Sequence, residues 1–231
     1  MKTKHILIIL IVFITLLLLW SCGDSSKKVT GHNIQVRSAR ANDTSADSPK
    51  EYKTKTGKTI LILETHPVGQ SLSTIKISTK GFEHNYPEIY EDKDTISDVF
   101  LADLDGNGFD EIYIITTSAG SGSYGTVLGF ASNKDKSLSM INFPATQKGN
   151  KNFEGYMGHD TFKIEDQKLV RIFPIYNKGD TNEYPTGGRR KLVYGLYPGE
   201  AMWQLKVEEA EDLSVFTGEA NVLQSWQGDY P

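Results

Sequence analysis

The densest group of oxygen donors in this chain lies in one short segment, Asp103-Leu-Asp-Gly-Asn-Gly-Phe-Asp-Glu111. Side-chain oxygens recur at its positions 1, 3, 5 and 9, and a backbone carbonyl is available at position 7. These alternate positions belong to Asp103, Asp105, Asn107, Phe109 and Glu111. Calcium takes about six to eight oxygen ligands, and tight Gly-rich turns let alternate residues point at one ion. The spacing therefore indicates a calcium loop.

The same segment has a second interpretation as a polar hairpin turn. In that case Asp and Asn side chains bond their own backbone while Gly106 and Gly108 take positive φ. As a calcium loop, the segment resembles the short loops between strands of integrin-type propeller repeats. It does not resemble an EF-hand, because the twelve-residue spacing and the flanking helices are absent. Both interpretations place the segment between two strands.

A glycine- and serine-rich segment, Thr117-Ser-Ala-Gly-Ser-Gly-Ser-Tyr-Gly125, follows directly on an apolar strand. It lacks the Lys-Ser/Thr pair and the helix of a P-loop. It also lacks the glycines of a nucleophile elbow, because Ala119 and Ser123 occupy those positions. A tyrosine among glycines is typical of a protein-recognition loop, since it offers a rigid apolar body with a hydroxyl tip. The alternative is a flexible hairpin loop.

From Val99 to Tyr124 the chain has an acidic Gly-rich turn, an apolar strand and then Ser-Ala-Gly-Ser-Gly-x-Tyr. This order resembles the bacterial periplasmic inhibitors of i-type (invertebrate) lysozyme, and the resemblance extends over roughly residues 58–140. It implies a β-sandwich that inserts a Ser-Gly-x-Tyr loop into the active-site cleft of lysozyme. The loop residues transfer to Ser121, Gly122 and Tyr124. Residues 155–207 lie beyond the matched part of the chain.

The N-terminus has the layout of a secretory signal, with Lys2 and Lys4 before an apolar run from Ile6 to Trp20. That run would span roughly 23 Å as a helix, less than the ~30 Å of a bilayer core. The following Ser21-Cys22 resembles the end of a bacterial lipobox. The sequence therefore predicts a lipoprotein signal peptide over 1–21 and a lipidated Cys22 that anchors the chain in the cell envelope, facing the periplasm or the cell surface. An uncleaved anchor helix is the alternative.

The rest of the chain divides by composition into three parts. Residues 22–57 are polar and without periodicity, which predicts a flexible membrane tether. Residues 58–215 form the predicted β-rich domain, and residues 216–231 a tail. Short β-type runs separated by turn residues occur at 59–63, 73–78, 98–102, 111–116, 126–131, 161–164, 169–176, 191–197 and 201–207. The predicted fold class is therefore mainly β, an antiparallel β-sandwich or open barrel of about eight to nine short strands.

Composition and spacing exclude several function classes. With a net charge of −4, the chain lacks the excess of basic residues that is typical of a nucleic-acid binder. One cysteine excludes an intramolecular disulfide framework. No nucleophile, base and orienting group stand together, so we do not expect an enzyme. His159-Asp160 could form half of a catalytic or metal site, but we expect a histidine that faces solvent or bonds within a turn.

Two hypotheses remain after these exclusions. The first is an inhibitor whose partner is lysozyme, of the i-type by resemblance, and which requires no cofactor. The second is a calcium-binding cell-envelope domain that recognises glycan or protein.

Overall fold

The computed structural model describes residues 48–147 and 149–213 of the chain. The predicted signal peptide of 1–21, Cys22 and the tail of 216–231 lie outside the described residues. All described residues belong to one compact unit of the chain.

A four-stranded sheet forms the N-terminal part of this unit. Its strands are β1 (Lys50–Lys53), β2 (Thr59–Thr65), β3 (Ser73–Lys80) and β4 (Glu88–Lys93). They are arranged in chain order, and every neighbouring pair is antiparallel. In β2 and β3 isoleucines at alternate positions are buried, as a sheet with one covered face requires.

An eight-stranded sheet with the order β5-β6-β7-β8-β12-β11-β10-β9 forms the rest. Its strands are β5 (Thr95–Ala102), β6 (Glu111–Thr117), β7 (Gly125–Ser132), β8 (Leu138–Asn142), β9 (Thr161–Glu165), β10 (Lys168–Pro174), β11 (Arg189–Pro198) and β12 (Trp203–Leu213). The edge strands β5 and β9 approach each other, so the sheet is nearly a closed barrel. Its pairs are antiparallel except β8 with β12, which run parallel. The predicted mainly β class is confirmed.

Strand β6 is buried on both faces and divides the hydrophobic core. Ile112 and Ile114 pack into a cluster with isoleucines of β2 and β3. Tyr113 and Ile115 point the other way, into the cluster enclosed by the eight-stranded sheet. Successive side chains of a strand point to opposite faces, so one continuous apolar run supplies both clusters. The strand also carries a candidate site at each end.

The described residues form twelve strands, three more than the nine runs found in the sequence. Strands β1, β4 and β8 lie outside those runs. Strand β1 falls inside the range 22–57 assigned to the tether, and the predicted start of the folded domain at residue 58 is therefore too late. It is ordered by its pairing with β2, and Tyr52 packs against the core cluster shared by the two sheets.

Candidate functional site

The loop of residues 118–124 connects β6 to β7 and is closed at its base. The backbone N–H of Ser118 donates to the carbonyl of Tyr124 at 3.0 Å, and the N–H of Tyr124 donates to the hydroxyl of Ser118 at 2.9 Å. At its tip the N–H of Ser123 donates to the carbonyl of Gly120 at 2.9 Å. Ser123 has a positive φ of 42°, a conformation found in tight turns. These bonds give the loop a defined conformation.

The side chains of Ser121 and Tyr124 lie on the surface of this loop. Ser121 is exposed, and Tyr124 is 48% exposed. No hydrogen bond of either hydroxyl is present within residues 48–147 and 149–213, so both can donate to a partner. The Tyr124 ring packs edge-on against Tyr156, with 5.7 Å between ring centroids. The predicted exposure of these two residues on a loop is present in the structure.

Gly122 is buried beneath the Tyr124 ring. A Cβ at this position would overlap the ring, whose Cζ would lie 2.9 Å away, and would lie 3.1 Å from the carbonyl oxygen of Met157. A hydrogen at Cα is what allows the tyrosine to lie flat across the loop. Glycine at this position therefore lets the ring rest against the loop backbone, and a Cβ would displace the ring.

Two segments from beyond the matched part of the sequence hold the loop from behind. The N–H of His159 donates to the carbonyl of Gly122 at 2.6 Å, and the Asn182 amide donates to the carbonyl of Ser121 at 2.6 Å. Gly158 has a φ of 94°, and a Cβ there would overlap the Gly122 carbonyl. Residues 158–182 thus supply the support of the loop.

A buried ion pair fixes the start of β7 below the loop. Arg171 and Asp160 are 1% and 0% exposed at their side chains, and Arg171 Nε lies 2.7 Å from Asp160 Oδ1. The other Asp160 oxygen accepts from the Tyr156 hydroxyl at 2.6 Å and from the N–H of Gly125 at 2.7 Å. The Asp160 carboxylate is therefore paired in the interior and is not free at the surface.

The loop itself is uncharged, and the surface around it is partly apolar. Residues 117–125 contain no charged side chain. Tyr124, Met157 and Tyr184 are exposed large hydrophobic residues on the loop and its two supporting segments. An open groove of about 770 Å³ lies beside Tyr124 and is lined in part by Phe143, Phe153 and Tyr156. This combination suits contact with another protein.

The acidic loop of residues 103–111 connects β5 to β6 at the opposite end of β6. Carboxylate oxygens of Asp103, Asp105 and Glu111 lie within 4.8 Å of one another. Asn107 does not present its amide oxygen to this cluster. That oxygen accepts from the N–H of Phe109 at 2.8 Å, and the amide nitrogen donates to Asp105 at 2.8 Å. Three of the five predicted ligands are therefore brought together by their side chains.

The hairpin-turn geometry considered for this loop is also present. Gly106 and Gly108 have φ values of 72° and 92°. The N–H of Asn107 donates to Asp105 Oδ1 at 3.0 Å, and the N–H of Gly108 donates to Asp103 Oδ2 at 3.0 Å. The turn and the convergence of carboxylates are compatible, because the same backbone bonds orient the carboxylates.

Glu111 is the fully buried member of the acidic loop. Its Oε2 accepts from the N–H of Leu104 at 2.8 Å, whereas its Oε1 has no hydrogen-bond partner among the described residues. Burial raises the pKa of Glu111 to about 8, and the negative charges of Asp105 and Asp103 add to this shift. The Leu104 N–H opposes it by stabilising the carboxylate.

Lys55 is the basic partner of the acidic loop and comes from the turn between β1 and β2. Its Nζ lies 2.5 Å from Asp103 Oδ2, and its backbone N–H donates to Asp110 at 2.5 Å. Burial raises the pKa of Asp103, but hydrogen bonds from Lys55 and Gly108 outweigh it, so the net pKa is lowered.

Within the described ranges no helix is both long and apolar enough to cross a membrane.

Neither a protein-family model nor a curated protein matches this sequence. Among solved structures, part of the chain is similar to PliI of Aeromonas hydrophila, in a complex with the lysozyme of Meretrix lusoria. The match covers 41% of this chain and 81% of that chain, with 19% identity and a TM-score of 0.33.

The sequence patterns did not predict the residues that contact the two loops from distant parts of the chain. Asn182 is 61 positions from Ser121, Asp160 is 35 from Gly125, and Lys55 is 48 from Asp103. None of these partners has a local pattern that indicates its contact. The one available signal was Gly158 before His159-Asp160, since a glycine beside polar residues indicates an unusual backbone conformation.

Proposed function

We propose that this protein is a lysozyme inhibitor that plugs the active-site cleft of lysozyme with the loop from Ser121 to Tyr124. The observation that carries the proposal is the exposure of two hydroxyls that have no hydrogen-bond partner among the described residues. They lie on a loop whose backbone is held by bonds from Ser118, His159 and Asn182. The resemblance of residues 99–124 to inhibitors of i-type lysozyme supports the same assignment.

The chemistry of the loop suits the chemistry of the cleft. Lysozymes cleave the glycosidic bond with two carboxyl groups, one of which acts as an acid. The hydroxyls of Ser121 and Tyr124 can donate hydrogen bonds to such carboxyl groups. The absence of charge over residues 117–125 avoids repulsion from them. The loop has no glycosidic bond, so it occupies the cleft without being cleaved.

The support of the loop favours tight binding. A mobile loop would have to be ordered on binding, and that ordering opposes association. Here the bonds from His159 and Asn182, and the closed base at Ser118, order the loop beforehand. The glycines at 120 and 122 keep the loop thin enough to enter a cleft built for a sugar chain.

The proposed location follows from the N-terminus. A lipidated Cys22 would hold the inhibitor at the bacterial envelope. Peptidoglycan, the substrate of lysozyme, lies in the same compartment. An inhibitor fixed there would meet the enzyme at its site of action.

The proposal is tested by inhibition of i-type, c-type and g-type lysozymes with the purified full-length chain in detergent. We expect the wild type to inhibit i-type lysozyme and the double variant Ser121→Ala/Tyr124→Ala to lose inhibition. Val68→Ala, which changes an exposed apolar residue on the loop between β2 and β3, is the control and should inhibit like wild type. Absence of inhibition of all three lysozyme types would overturn the proposal.

A further inference from the structure

The acidic loop holds a carboxylate that its own surroundings leave incomplete. Glu111 is fully buried, and its Oε1 lacks a partner within the described part of the chain. A buried acceptor without a partner loses the hydration it had in the unfolded chain and gains nothing in return. An unpartnered buried oxygen of this kind indicates that a further group binds beside Glu111.

Carboxyl groups outnumber cations at the same place. The carboxylates of Asp103, Asp105 and Glu111 converge within 4.8 Å, and Asp110 lies in the same loop. Lys55 offers one ammonium, which pairs with Asp103 and is 44% exposed at its side chain. This one half-exposed monovalent cation hydrogen-bonds only Asp103, so two of the three converging carboxyl groups, those of Asp105 and Glu111, have no hydrogen bond from it.

We propose that the acidic loop binds one calcium ion through the carboxylates of Asp103, Asp105 and Glu111. The ion would become the partner of Oε1 of buried Glu111. It would lie between the carboxylate oxygens that converge here. This site is independent of the proposed inhibition, because the loop from Ser121 to Tyr124 starts from the other end of β6.

The donor set favours calcium over other divalent cations. All three converging ligands are carboxylate oxygens, with no sulfur or imidazole of the kind zinc prefers. Magnesium requires a near-ideal octahedron and keeps most of its water, whereas calcium accepts irregular sets of oxygens. The carbonyls of the turn and water can complete such a set around calcium.

Lys55 is the group that calcium must displace. Its ammonium occupies an oxygen of Asp103 that the ion would need, and its exposure lets it move into water. Removing this ammonium should therefore strengthen calcium binding. Removing a converging carboxylate should abolish it.

The test compares thermal unfolding of the full-length chain in detergent with chelator and with calcium chloride, alongside titration calorimetry. At a hundredfold excess over Kd, we expect calcium to raise the Tm of the wild type by about 5–10 °C. Asp105→Asn should lose this rise. Lys55→Met should bind calcium about two- to fivefold more tightly, as loss of one exposed competing cation implies.

Asp110→Asn is the matched control. It removes the same charge from the same loop, but Asp110 is not one of the converging carboxylates, and the asparagine can still accept from the N–H of Lys55. We expect this variant to keep the calcium response. No Tm rise in 10 mM calcium (about the upper limit for a specific site), or an equal rise in Asp105→Asn and Asp110→Asn, would overturn the proposal.

Discussion

Tyr124 combines a fixed ring with a free hydroxyl. Its ring rests on Gly122 and Tyr156, and its hydroxyl is unpaired within the described chain. We predict that Tyr124→Ala weakens lysozyme binding by about 2 kcal/mol or more, or about thirtyfold, as for a recognition hot spot. Tyr124→Phe isolates the hydroxyl and should cost about 1.5–3 kcal/mol if it donates to a carboxylate. Titration calorimetry measures both, and an unchanged Kd for Tyr124→Ala would remove this residue from the interface.

A substitution at Gly122 distinguishes the effect of the loop's shape on inhibition from the stability of the fold. We predict that Gly122→Ala weakens inhibition about as much as Tyr124→Ala, because the added Cβ displaces the ring. The fold should persist, since the ring is at the free end of a side chain and can turn into solvent. The measurement is inhibition together with the Tm. Val68→Ala, on another loop, is the control and should keep both the inhibition and the Tm of the wild type. Wild-type inhibition by Gly122→Ala would contradict the prediction.

At the scale of elements, the ion pair between β10 and the segment before β9 fixes the start of β7 below the loop. Five aromatic rings surround the Arg171 guanidinium, with its Cζ 4.9 to 5.7 Å from their centroids. We predict that Arg171→Met lowers the free energy of unfolding by about 3–5 kcal/mol, because it leaves Asp160 buried and uncompensated. Urea unfolding measures this.

The control for that variant is Lys80→Met, which removes the exposed ion pair with Glu51. Exposed pairs contribute about 0–1 kcal/mol, so the control should unfold nearly like wild type. Equal stability of the two variants would show that the buried pair does not support the fold.

Strand β1 should contribute to stability although its sequence looks like part of a linker. We predict that a chain of residues 58–231 melts about 5–10 °C below one of residues 48–231, a loss of roughly 2–3 kcal/mol. The physical reason is the loss of the β1–β2 pairing and of the Tyr52 contact with the core. Lys55→Ala in the longer chain separates the lost ion pair from the lost strand. Melting temperatures within 1 °C (about the resolution of a scan) would contradict this role.

The elements that the sequence predicted are those with local signals. The apolar run of β6 and the turn residues around it indicated a strand with a polar loop at each end. Strand β4 was missed because Glu88, Glu91, Asp92 and Lys93 make it polar, which an edge strand tolerates. The exposed loop was predicted, but its support by Asp160, Arg171 and Asn182 was not. Those contacts join residues far apart in the chain, and no spacing within one segment encodes them.

At the scale of the whole molecule, β6 separates the two proposed sites. The acidic loop and the loop from Ser121 to Tyr124 begin at its two ends, roughly 20 Å apart for a strand of this length. A calcium ion at one end should therefore stabilise the fold without contacting a partner at the other. Calcium and lysozyme binding can succeed or fail separately, so each is tested without reference to the other.

The central claim is that the loop enters the active-site cleft, and competition with a substrate fragment tests it most directly. The measurement is the Kd of the full-length chain for i-type lysozyme, with the cleft free and with the cleft saturated by a chitooligosaccharide. We predict that the saturated enzyme binds at least about tenfold more weakly, as mutually exclusive ligands require. Equal affinity for free and saturated lysozyme would contradict the account, because the loop would then bind outside the cleft.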